Sequence, residues 1–132
     1  MEADLISYLL ADVQVAALVG DRVRPNLRPQ GEALPSVTVT RISGGPEYAD
    51  DGEVGLLDAR VQVDCWGDTY TVAKGTAGAV TNRLSAVRDV VEGATTFLYV
   101  TLEDERDLSE VGANRAEYLH RVSLDFRVWA NF

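Results

Sequence analysis

The sequence predicts an α+β fold of two layers: a four-stranded, mainly antiparallel sheet with two helices packed on one face. Three observations carry that expectation. Two segments near the middle and the C-terminus alternate apolar and polar residues without a break. Two others repeat apolar residues every three or four positions. The order helix, strand, strand, helix, strand, strand then lets neighbouring strands form hairpins while the helices share one side of the sheet.

The first helix is expected over residues 3–18, where Leu5, Ile6, Leu9, Leu10, Val13, Ala16 and Ala17 recur on one side. Asp4 sits in the first turn, where negative charge complements the helix dipole, and Gly20 is placed to end the helix. VRPNLRPQGEALP (23–35) carries three prolines and a glycine, so it reads as an extended connection with turns. SVTVTRIS (36–43) then alternates as a half-buried strand.

GGPEYADDGEVG (44–55) is rich in turn formers, and Ser43 to Asp58 holds five acids and no base. It reads as a flexible, solvated acidic loop between two strands. Its oxygen donors lack the regular spacing and closing glutamate of a calcium loop. LLDARVQVDCW (56–66) is the clearest strand, with Leu57, Ala59, Val61, Val63 and Cys65 on one face and Asp58, Arg60, Gln62, Asp64 and Trp66 on the other. Gly67 ends it, and Asp68 or Thr69 is placed to cap a helix over about 70–88. Val72, Ala73, Thr76, Ala77, Val80, Leu84 and Val87 form the inner stripe of that helix.

TTFLYVTLED (95–104) reads as a strand alternating Phe97, Tyr99 and Thr101 against Leu98, Val100 and Leu102. ERDLSEVGANRAE (105–117) is polar enough to be a loop. YLHRVSLDFRVWA (118–130) closes the chain as a strand, with His120, Val122, Leu124, Phe126, Val128 and Ala130 opposed to Arg121, Ser123, Asp125, Arg127 and Trp129.

A length of 132 residues suits one domain spanning the chain, large enough to bury a core without disulfides. The one cysteine excludes an internal disulfide. Residues 1–19 carry acids where a secretory signal carries bases, and the apolar runs are too short to span a membrane. The expected setting is therefore a cytoplasm, with no membrane contact. With 21 acids against 12 bases the net charge is −9, which argues against a nucleic-acid-binding surface. Eleven of the bases are arginine, a bias that suits interface pairing and follows equally from GC-rich coding.

No catalytic residue, cofactor site or metal site is expected. Cys65 shares the apolar face of its strand and reads as a small buried hydrophobe. His120 falls on an apolar face as well and reads as a packed histidine. Asp68 has a sufficient role as a cap, and no phosphate loop, zinc-helix or nucleophile-elbow pattern occurs. The unusual feature is the polar sheet face. Arg60, Asp64, Trp66, Arg121, Asp125, Arg127 and Trp129 combine both charges with large aromatics, as subunit interfaces do. Arg22, Arg24 and Arg28 are candidate basic complements, and Glu47, Asp50, Asp51 and Glu53 are candidate partner-facing residues of the acidic loop.

Four segments resemble a known family: LVGDRVRP (18–25) ending the first helix, LPSVTVTRIS (34–43), RVQVDCWGDTYTVA (60–73) entering a helix at a small polar turn, and HRVSLDFRVWAN (120–131). Together they are similar to the tail terminator or tail completion proteins of long-tailed bacteriophages and related prophage or gene-transfer particles. The resemblance implies a structural virion protein with no catalytic residues. It implies a homo-oligomeric ring, a hexamer, at the head-proximal end of the tail, assembled in the bacterial host cytoplasm. That ring would stop polymerisation of the major tail tube protein and meet the head-tail connector protein, while DNA passes through its lumen without specific binding. Two alternatives stay open: another connector or head-closure subunit, and a small enzyme with a pocket near Gly67.

Overall fold

The computed structural model describes residues 1–29, 31–49, 52–111 and 118–131. It corrects the expected architecture. Six strands form one mixed sheet in the order β1-β2-β3-β6-β5-β4, accompanied by three helices. The elements are α1 (Glu2–Leu10), α2 (Val13–Val19), β1 (Val23–Pro25), β2 (Ser36–Ala49), β3 (Gly52–Gly67), α3 (Tyr70–Ser85), β4 (Arg88–Glu92), β5 (Thr95–Val111) and β6 (Tyr118–Asn131). β1 lies parallel to β2, and every other neighbouring pair is antiparallel.

The expected first helix divides at Asp12. The Asp12 carboxylate accepts from the Val15 backbone N–H at 3.1 Å and so starts a new helix where the periodic pattern would continue the old one. The break rotates the apolar stripe. Leu5 and Leu9 are buried before it and Val15 and Val19 after it, whereas Val13, expected inward, is 81% exposed. Gly20 ends α2 with φ of +61°, as its position suggests.

Two strands were hidden from the sequence pattern by their length. β1 holds three residues inside the proline-rich connection, and β4 holds five directly after α3. A period of two needs more positions than these to be read. β2 and β3 also continue through most of the stretch expected as a loop, with Tyr48 opposite Glu53 and Ala49 opposite Gly52.

β5 likewise runs through polar residues to Val111, paired along β6 as far as Tyr118. Its register shifts between Phe97 and Tyr99. The inserted Leu98 moves Val100 to the side of Phe97, and both are buried, in place of the unbroken alternation expected.

The core lies between the helices and one sheet face. Leu57, Ala59, Val61, Val63 and Cys65 of β3 meet Val122, Leu124, Phe126, Val128 and Ala130 of β6, and all are buried. α3 covers them with Ala73, Thr76, Ala77, Val80 and Leu84. α1 is fastened by Arg83, whose Nε donates to the Tyr8 carbonyl at 3.0 Å and whose guanidinium lies 3.6 Å from the Tyr8 ring centre. Asp4 accepts from Thr95 Oγ1 at 2.6 Å, tying α1 to the start of β5.

Candidate interaction surface

The strand-to-helix turn holds packing, not chemistry. Thr69 caps α3 by accepting from the Val72 N–H at 3.2 Å. A Cβ on Gly67 would stand 2.7 Å from the Ala73 backbone nitrogen, so only glycine lets the helix start over the strand end. Cys65 is fully buried, and burial, with the Asp64 and Glu105 charges, pushes its thiol far above the ordinary range. A thiol held protonated is no nucleophile. His120 is half-buried and pairs across strands with Gly67, while Cys65 pairs with Val122. Among the described residues no group of three His, Cys, Asp or Glu side chains could hold a metal ion. No described helix is long and apolar enough to cross a membrane.

The opposite sheet face gathers all seven residues expected there. Register sets them in rows across the strands: Ser36, Trp66, Arg121 and Leu108; Thr38, Asp64, Ser123 and Arg106; Ser43, Arg60, Arg127 and Thr101. Arg60 and Arg127 are directly opposite, an arrangement that repels unless each charge is neutralised. Arg127 therefore grips Asp58 with two parallel bonds, Nε to Oδ1 at 3.0 Å and Nη2 to Oδ2 at 2.7 Å. Arg60 turns to Glu103 at 3.2 Å. Asp104 and Asp125 are also opposite, and Arg106 bridges them at 2.9 and 2.7 Å.

The remaining members are tied within the same face. Trp66 donates from Nε1 to Thr38 Oγ1 at 3.3 Å, and the Arg121 guanidinium lies 5.0 Å from its ring. Trp129 stacks on Tyr99 at 5.8 Å, with the Arg127 guanidinium 4.7 Å away. Asp64 is 6% exposed although no helix lies on this side, and Gln62 Nε2 donates to both its oxygens at 3.1 and 2.9 Å. The Arg127 bonds hold the Asp58 carboxyl below the ordinary carboxylate range, against a smaller opposing effect of burial.

Sequence reasoning missed Glu103, Asp104 and Arg106 as members of this face. Arg106 belongs to the polar run taken as a loop. The signal was present as one base, Arg106, set among four acids over 103–107, but polarity concealed the strand.

The three candidate basic residues organise the connection between α2 and β2. Arg22 donates from Nε to the Pro35 carbonyl at 2.9 Å, Arg24 from Nη1 to the Asp21 carbonyl at 3.1 Å, and Arg28 from Nη2 to the Glu32 carbonyl at 2.6 Å. Arg24 also forms an ion pair with Glu32 at 3.6 Å. Glu47 lies in β2 at the register shift between Pro46 and Tyr48, Glu53 lies in β3 opposite Tyr48, and Asp50 and Asp51 fall outside the described residues.

Among the described residues the surface carries hollows on both sides of the sheet. A hollow of about 240 Å³ lies on the charged face between Ile42, Arg60, Gln62, Arg106 and Asp125. Another, about 480 Å³, separates α2 from α3 and is lined by Ala17, Leu18, Gly75, Gly78 and Asn82. Neither converges acids, bases and a nucleophile as a catalytic pocket would.

A family model described as tail completion protein gp17 matches residues 3–131. The chain belongs to that family. Its role is structural and non-catalytic, in completing a phage tail, and the tail is where it resides. The fold agrees: a chain from the virion of a native gene transfer agent particle superposes with a TM-score of 0.67 at 23% identity, covering 100% of this chain and 95% of that one. No curated protein matches the sequence.

Proposed function

We propose that this tail completion protein assembles as a ring, six copies in number, on the head-proximal end of the finished tail tube. The ring stops addition of tube protein, offers the surface that the head connector joins, and leaves a lumen through which DNA passes. The observation that carries the reading is the family match over residues 3–131. The acidic balance of −9 supports it, since a lumen wall of the same sign as phosphate does not retain DNA. Assembly takes place in the host cytoplasm, where the single thiol of Cys65 stays reduced and buried.

Particles made without the protein test this reading by electron microscopy. Overlong tubes without heads are expected, with normal length restored when the protein is supplied. Tubes of normal length beside unattached heads would instead assign the chain to the connector side of the joint.

A further inference from the structure

The sheet has two incomplete edges at opposite corners. β5 is 17 residues long, yet β4 pairs with it only from Thr95 to Tyr99. Beyond that point, up to Val111, the outer edge of β5 has no strand neighbour among the described residues. β2 is 14 residues long, yet β1 pairs only with Val37 to Val39. Its outer edge from Thr40 onward is likewise unpaired among the described residues. Such an edge presents a row of backbone donors and acceptors to any strand that fits.

The two edges fit each other. β2 and β5 run in opposite directions, so a second copy placed alongside in the same orientation sets its β2 antiparallel to this β5. β1 and β4 then fall beyond opposite ends of the new ladder and do not collide. Pro46 lacks an N–H and limits the usable β2 edge to Thr40–Gly45. The charges also match. Residues 22–45, which form the β1–β2 side, contain four arginines and one glutamate. Residues 101–108 of β5 contain four acids and one arginine, and those acids are exposed. Lys74 reaches two of them, Glu105 at 3.6 Å and Asp107 at 2.8 Å, leaving Glu103 and Asp104 to the arginines of their own face. Arg41, the arginine of the free edge itself, pairs with Glu2 of its own copy, so the positive bias belongs to the β1–β2 side as a whole, from Arg22, Arg24 and Arg28. Apolar contact is available too, from Ile42 (55% exposed) on one edge and Leu108 (38% exposed) on the other.

We propose that the β2 edge of one copy adds to the distal β5 edge of a second copy, making an antiparallel, head-to-tail contact. The two surfaces differ, so the contact repeats from copy to copy and closes into a ring when the rotation allows. This deepens the ring reading above and rests on it for closure and copy number.

Thiol cross-linking tests it, because the native Cys65 is fully buried. The variants are Ser43→Cys on the β2 edge and Leu108→Cys on the β5 edge, with Asp104→Cys as a second β5 position. A short bismaleimide is applied to folded protein, checked by circular dichroism, both free and bound to tails. The expected result on tails is a ladder of covalent multimers from either double variant, monomer from each single variant, and nothing beyond dimer from mixed single variants. Dimers from a single variant would show a symmetric contact and overturn the proposal. A defined ring by native mass spectrometry that resists both cross-links would overturn the edge contact and keep the ring. Tail-bound monomer throughout would overturn both.

Discussion

Arg127 of β6 holds Asp58 of β3 through two parallel hydrogen bonds, 3.0 and 2.7 Å, on the sheet face that no helix covers among the described residues. The pair neutralises an arginine that faces Arg60 across the strands. It shows how this face keeps a dense set of charges without internal conflict.

The pair makes stability depend on acid. Asp58 is held below its ordinary range by Arg127, so its contribution is complete above the unfolded value of about 4 and fades as pH falls through the lower folded value. Asp58→Asn should lower the urea midpoint at pH 7, and the gap to wild type should shrink as pH falls below the ordinary carboxylate range. An unchanged gap at low pH would remove the charge from the explanation.

Gly67 is a packing requirement. Gly67→Ala sets a methyl 2.7 Å from the Ala73 nitrogen and 3.0 Å from the Thr69 carbonyl oxygen. Overpacking of that kind costs about 1–3 kcal/mol, read as a lower denaturant midpoint with an unchanged slope.

Gly75 and Gly78 behave oppositely. Both lie exposed along the groove between α2 and α3, and a Cβ on either meets nothing within 4 Å. Alanine at each should raise stability by about 0.5–1 kcal/mol through helix propensity. Thermal unfolding of Gly75→Ala and Gly78→Ala checks the sign.

Phe126 and Cys65 report on the core. Phe126 is 1% exposed at its centre, so Phe126→Ala should cost about 3–5 kcal/mol. Cys65 should resist a thiol reagent in the native state and react fully in urea. Rapid native labelling would place that strand face outside the core.

Much of this was legible in the sequence where a long segment repeated one period. β3, β6 and the core stripe of α3 follow directly from spacing, and so do the seven residues of the charged face; the cap of α3 was left between Asp68 and Thr69, and Thr69 fills it. What escaped depended on contacts distant in sequence. Asp58 and Arg127 lie 69 positions apart, and only strand register makes them partners. β1 and β4 are too short to show alternation. The far half of β5 is a strand because β6 pairs with it, although its own residues are as polar as a loop. Asp12 did carry a readable sign, a capping side chain in the middle of an apolar pattern, and the pattern overrode it.

The most direct test of the central claim is the length distribution of tail tubes polymerised from purified tube protein, with and without this protein added during growth. The account predicts that addition halts elongation at once, leaving shorter tubes with extra density at one end. Tubes that lengthen equally in both conditions would contradict a terminating role.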